Sequence, residues 1–261
     1  MASIGIISGA STATAWSRRM LTAVLTVAAM FAGWQAAIMI WRIPAYLMPS
    51  PAGVIHAVGA NWTVLLRQTG FTLAAAALGL TISTCFAVLL ALAFSMSRRL
   101  EQASLPAVIA FRSAPVAAVA PIIMLFFGRG IVTSIAVVTI VSFFPLLVNL
   151  SRGLTSTDRN TLELMHVCGA SRWQQLRLVR IPFALPYLFA GLRIAGASAI
   201  LGAMLSEWIT GSPGLGNLIL ESGEMRETEL LWAAVLVSVM IALAVFWLTS
   251  ASERRVLRWK A

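Results

Sequence analysis

Glu163-Leu-Met-His-Val-Cys-Gly169-Ala-Ser-Arg-Trp-Gln-Gln-Leu-Arg-Leu-Val179-Arg-Ile181-Pro182 lies inside a polar, Arg-rich segment, 152–182, set between two long apolar runs. Its residues spell helix, glycine corner, helix. Asp158 or Asn160 can cap a first helix, and Asn160-Thr-Leu-Glu163 fits a capping box in which Glu163 reaches back to the helix start. That helix runs to about Cys168, where Gly169 permits the left-handed conformation that ends a helix. Ser171-Arg-Trp-Gln174 is a second capping box and opens another short helix that stops by Ile181-Pro182. On the first helix Leu162, Met165 and His166 share a face at i, i+3, i+4 spacing. Apolar side chains on such a loop want either a membrane surface or a partner groove. From these residues alone, an interfacial hairpin without a partner stays open as the alternative.

Outward from this loop, the chain is built for a bilayer. Hydrophobic residues make up 59% of it and charged residues 11%, with a mean hydropathy of +0.89; a soluble domain carries roughly 25% charged residues. Runs 20–41, 71–97, 130–151 and 230–252 are apolar and uncharged at membrane-spanning length. Runs 105–128, with Arg112, and 183–206, with Arg193, each carry one charge. These predict an all-α polytopic membrane protein of about six transmembrane helices, with one membrane domain over 20–252. A tail at 1–19, the loop 152–182 and a basic tail at 253–261 flank or interrupt it. The run 20–41 exceeds the roughly 7–15-residue core of a signal peptide, so it reads as a retained first helix.

With the N-terminus inside, thirteen of the nineteen Lys and Arg fall on inner segments, four on outer segments and two within spans. The positive-inside rule therefore puts both termini and the 152–182 loop in the cytoplasm. The net charge of +10 is mainly this topology, with a secondary pull toward anionic membrane lipid. Its dispersal over four inner segments argues against nucleic acid as a partner. Cys85 lies mid-span and Cys168 in the loop, so both read as plain thiols.

Several chemistries lack their residues. There is no G-x-x-x-x-G-K-[ST] phosphate loop, and the only lysine is Lys260. The run Gly211-Ser-Pro-Gly214-Leu-Gly216 follows an apolar helix rather than a strand and reads as a tight turn. His56 and His166 are single and on opposite sides, so neither a metal nor another cofactor is expected. No nucleophile–base pair suggests catalysis. Ion-coupled carriers commonly place ionisable groups near mid-bilayer; here the spans offer only Arg112 and Arg193, with Glu207 at the outer rim. Uphill transport would then draw its energy from another subunit.

Pro115 and Pro121 suggest a broken or kinked third span, which makes 110–127 the first choice for lining a pathway, with Arg112, Arg193 and Glu207 as further candidates. Snorkelling to the inner headgroups is the ordinary role for Arg193, and Trp208 reads as an interfacial anchor. Ser50-Pro51 predicts the start of an external amphipathic helix through Val54, Ile55 and Val58. With the acidic stretch 221–229, that surface could receive a soluble protein.

The 163–182 segment resembles the EAA loop of binding-protein-dependent ABC importer permeases, written E-A-A-x3-G-x9-I-x-L-P. Glu163, Gly169, Val179, Ile181 and Pro182 fall at matching positions, while Leu164 and Met165 replace the two alanines. Met48-Pro-Ser-Pro51, Phe143-Phe-Pro145, Gly169-Ala-Ser171, Pro182-Phe-Ala-Leu-Pro186-Tyr187, Gly191-Leu-Arg193-Ile-Ala195 and Glu207-Trp208 with Gly214-Leu-Gly216 extend the likeness over most of 45–250. They are similar to the nitrate/sulfonate/taurine branch, which includes permeases for pyrimidine precursors. The resemblance implies a type I importer permease fold in a bacterial inner membrane, working as a homodimer. Its expected partners are a cytoplasmic ABC ATPase and a periplasmic or lipoprotein substrate-binding protein. It also makes Leu162, Glu163, Met165, His166, Gly169, Ala170, Ser171 and Pro182 the expected ATPase-coupling residues. A self-sufficient secondary carrier or channel is the competing reading.

Overall fold

The computed structural model describes residues 9–113 and 115–257, with side chains from Leu21 onward except at 23, 105, 109 and 111–113. Among the described residues all regular structure is helical. In chain order the helices are α1 (Gly9–Trp41), α2 (Pro51–Ala60), α3 (Trp62–Met96), α4 (Arg98–Ser113), α5 (Val116–Phe127) and α6 (Ile131–Thr155). They continue with α7 (Arg159–Val167), α8 (Arg172–Gln175), a π-helical turn over Leu176–Arg180, α9 (Ile181–Thr210), α10 (Leu215–Glu224) and α11 (Thr228–Val256).

Five helical stretches are long and apolar enough to cross a membrane: α1, α3, α6, the continuous helix Arg172–Thr210, and α11. The apolar run 105–128 is instead divided between α4 and α5, of 16 and 12 residues. Pro115 stands at the N-cap of α5 with extended backbone, φ −66° and ψ 119°. Its ring disfavours helical geometry at the residue before it, which is why a continuous helix fails there. Pro121 then removes one further hydrogen bond inside α5. At the chain's start, α1 begins ahead of the apolar run because nothing between Gly9 and Arg19 breaks a helix.

α6 is the centre of the bundle and packs against α3 and α9. In lipid no hydrophobic force draws helices together, so close van der Waals contact and a few polar links must do it. Small residues permit that contact. A Cβ on Gly79 of α3 would stand 2.6 Å from Val138 and 2.9 Å from the Ile135 carbonyl of α6. Ala195, Ala199 and Ala203 of α9 and Leu146, Leu147 and Leu154 of α6 are all buried. Ser134 of α6 donates to Ser206 of α9 at 3.2 Å. α11 packs on α9 and α10, whereas α1 meets the bundle at an edge, where Trp34 lies 5.2 Å from Trp232.

Candidate functional site: the helical corner and the polar groups of the bundle

Two arms and a glycine build the corner. α7 begins at Arg159 with Asp158 at its N-cap, but no side chain caps it. This corrects the capping box drawn from Asn160 to Glu163. Because the helix starts two residues earlier, with Asp158, the other expected cap, at its N-cap, Glu163 sits too far along to reach back. It lies instead four residues beyond Arg159, whose Nε donates to its Oε1 at 2.7 Å on an exposed face.

The end of α7 follows the expected glycine stop. Gly169 takes φ +76°. Its N–H donates to the His166 carbonyl at 3.0 Å, and the Ala170 N–H donates to the Met165 carbonyl at 2.9 Å. This pair of bonds is the Schellman closure, which satisfies carbonyls that a helix end would otherwise leave orphaned. Ser171 then forms the expected capping box: its Oγ accepts from the Gln174 N–H at 3.3 Å, and its own N–H donates to Gln174 Oε1 at 2.7 Å.

The second arm does not stop at Ile181-Pro182. It runs through the π turn directly into α9, giving one helix from Arg172 to Thr210. The Ile181 N–H donates to the Leu176 carbonyl, five residues back. Widening the turn by one residue accommodates the ring and missing N–H of Pro182 without ending the helix. Leu176 and Val179 are buried, and Leu176 joins the core around Leu150 and Leu154. Arg180 adds a tie to α3, donating from Nη1 to the Ser95 carbonyl at 3.3 Å.

Exposed apolar groups stand at the corner and, with Leu178 at 63%, on the second arm. Val167 is 83% exposed, Leu164 64% and Trp173 59%. His166 is exposed beside them, whereas Leu162 and Met165 are half-buried. Helical spacing finds the Leu162/Met165 stripe, but only the packing shows that this stripe turns inward and that Leu164, Val167 and Trp173 face out. Leu164 occupies a position where the EAA pattern has alanine, which is the sequence signal that could have drawn attention to it.

The pathway candidates do not converge on one site. The Arg112 side chain lies outside the described residues. Pro115 and Pro121 sit exposed on α5. Arg193 of α9 is joined to Glu253 of α11, Nη2 to Oε2 at 3.1 Å, with the two side chains 34% and 19% exposed. Glu207 is buried at the far end of α9, where its Oε2 accepts from Thr72 Oγ1 at 3.0 Å and from the Gly216 N–H at 2.9 Å. Neither Thr72 nor Glu253 was visible as a partner in the sequence, since 135 and 60 residues separate the members of the two pairs.

Comparison with known proteins identifies the family and the fold. Residues 83–258 match the family described as "Binding-protein-dependent transport system inner membrane component". The chain is 36% identical over 242 residues to the riboflavin transport system permease protein RibX of Chloroflexus aurantiacus, covering 91% of this chain and 89% of that one. It is also 36% identical over 185 residues to the formylaminopyrimidine transport permease protein ThiX of Halalkalibacterium halodurans, covering 68% and 74%. In fold it resembles the MetNI methionine ABC transporter in an inward-facing conformation, with a TM-score of 0.68 at 17% identity over 76% of this chain and 98% of that one. The chain thus belongs to the inner-membrane components of binding-protein-dependent transport systems: it is the permease subunit of an ABC importer for a small solute, a transport subunit rather than an enzyme, and works with a separate ATPase and a substrate-binding protein.

Proposed function

We propose that two copies of this chain form the translocation pathway, that the α7–α8 corner of each seats in a groove of a cytoplasmic ATPase, and that both termini face the cytoplasm. One observation carries the proposal. Leu164, Val167 and Trp173 are exposed on a corner whose shape is set by the Gly169 closure and the Ser171 box, and whose second arm is rooted in the core through Leu176. An apolar knob on a polar loop, rigidly tied to a membrane helix, suits a groove that pushes on it. ATP-driven closure of two ATPases would then rock the two permease copies between inward and outward access. Gly169, Ala170 and Ser171 hold the corner; Leu162, Glu163, Met165, His166 and Pro182 shape and support its two arms. Membrane lipid covers the outer faces of α1, α3 and α11.

For the solute, the 36%-identical relatives are named for riboflavin and formylaminopyrimidine. We infer a planar nitrogen heterocycle of the pyrimidine-precursor or flavin type, ahead of sulfonates, nitrate or taurine. The test is capture of the tagged chain from native membranes, with mass spectrometry of what accompanies it, beside a Gly169→Asp control. The proposal expects an ATPase that is lost in the control. It also expects uptake of labelled riboflavin or formylaminopyrimidine, but not of taurine, by cells expressing the complex. A chain that purifies alone and transports in liposomes without ATP would establish a self-sufficient carrier instead.

A further inference from the structure

Among the described residues Glu207 is the only buried acidic side chain, at 1% exposure. Its surroundings explain what it does there. The first N–H groups of a helix have no partner within the helix and need an acceptor from elsewhere. The N-cap of α10 is Gly214, which has no side chain to offer. Two side chains from other helices take over. Glu207 of α9 accepts the Gly216 N–H at 2.9 Å through Oε2. Thr72 of α3 accepts the Leu215 N–H at 2.9 Å and donates its own hydroxyl to the same Oε2 at 3.0 Å.

The turn is shaped to admit this. A Cβ on Gly214 would run into the Glu207 carboxyl group, and one on Gly216 would run into the Met204 backbone. Leu215 and Leu218 then bury against Val54 and Ala57 of α2, Leu65 of α3, and Ala233 and Ala234 of α11. Ser212, just before the turn, accepts the Gly130 N–H at 3.0 Å and shares a 2.7 Å hydrogen bond with Thr210. α10 is therefore fastened to the end of α9 and to α3 while its outer face carries exposed Glu221 and Glu224.

α9 is also the helix that starts in the corner. The continuous stretch Arg172–Thr210 has 39 residues, about 58 Å at 1.5 Å per residue, well beyond the roughly 30 Å apolar core of a bilayer. Its irregularities, the π turn with Pro182 and Pro186, all lie near the corner; from Tyr187 to Thr210 no proline interrupts it.

We infer that Glu207 is a positioning residue for transport: with Thr72 it clamps α10 to α9 and α3, so that the external surface moves as one piece with the helix driven by the cytoplasmic corner. This rests on the importer reading above. It assigns Glu207 to mechanical coupling rather than to contact with the solute. A glutamine at this place keeps a carbonyl oxygen able to accept both bonds; an alanine does not.

The complex captured from native membranes, with ATPase and its co-purified binding protein, is reconstituted in liposomes for two measurements. One is the ratio of ATP hydrolysis with and without added binding protein; the other is amide hydrogen exchange over residues 211–220. Glu207→Ala and Thr72→Val are expected to speed exchange over 211–220 and to lower the stimulation ratio by about tenfold or to unity, the scale of a lost buried hydrogen bond. Glu207→Gln and Thr72→Ser should stay within about twofold of the wild type. Unchanged exchange and ratio in both disruptive variants would overturn the clamp, as would a Glu207→Gln protein as deficient as Glu207→Ala, which would point to the acid itself as the working group. Wild-type complex without any stimulation would instead count against the importer reading, and the exchange measurement, which needs no ATPase, would still decide the clamp.

Discussion

Gly169 and Gly216 are both glycines for structural reasons, but the reasons differ and so do the expected consequences of change. Gly169 has open space around its Cβ position and a φ of +76°, so its constraint is backbone conformation. A side chain in left-handed geometry costs roughly 1–2 kcal/mol, with asparagine the best tolerated. Gly169→Asp should leave the protein folded in the membrane yet abolish ATPase capture and uptake, because the exposed corner acquires a charge as well as strain. Gly169→Asn should retain much of both; membrane expression with uptake measured side by side checks the pair. Gly216 is a problem of space, since its Cβ would strike the Met204 backbone. Gly216→Ala should destabilise by about 1–3 kcal/mol or more, as overpacking does. The suitable control is Gly70→Ala in α3, where nothing lies within 4 Å; it should be neutral or stabilise by about 0.4–1 kcal/mol. Thermal unfolding in detergent separates them.

At the scale of elements, the decisive feature is that α8, the π turn and α9 are one helix. The corner is thereby an extension of a membrane helix, and a push on Trp173 acts on α9 without an intervening hinge loop. The Arg193–Glu253 pair binds the same helix to α11 inside the bundle. Removing one partner leaves the other charge uncompensated in a poorly solvated place, whereas removing both does not. Arg193→Met and Glu253→Gln should therefore each lower the melting temperature more than the double variant does, with a coupling on the order of 1 kcal/mol because Arg193 is a third exposed. Additive losses would show that the pair contributes nothing. The short α4 and α5 are the contrasting element: the apolar run is interrupted at Pro115, and non-helical backbone at membrane depth is tolerated only where protein or water covers it.

For the whole molecule, the ends of the bundle are distinguished by what they carry. α7 and α8 stand at one end; α2 and α10 stand at the other, with the Gly130 and Ser212 turns. The proposal that the first end faces the cytoplasm rests on the arginine distribution. Alkaline phosphatase fused after Ala60 or Glu224 should be active, and fused after Cys168 inactive; the opposite pattern would invert the topology. Native mass spectrometry of the purified complex should show two copies of this chain with two ATPases, as the homodimer reading requires. A single copy would require a second permease chain.

Hydropathy and charge were enough to establish a helical membrane protein with its corner on the arginine-rich side, because a bilayer imposes a length and a charge asymmetry that are written locally. The corner was legible for the same reason: Gly169 and the Ser171–Gln174 box act over three or four residues. The failures arose where the outcome depended on what packs nearby. Glu163 pairs with Arg159 because α7 has Asp158, not Asn160, at its N-cap and so begins two residues earlier than the Asn160–Glu163 box requires. Pro182 does not end its helix because a buried Leu176 and Val179 hold the wider turn in place. Leu164 and Val167 are exposed on α7 while Leu162 and Met165 are half-buried, a division that helical spacing alone does not make. Glu207 and Arg193 found their partners only through helix crossings that bring residues 135 and 60 positions apart into contact. Local rules set the elements; the crossings, which no single segment encodes, decided which polar groups are buried against partners and which apolar ones stay exposed.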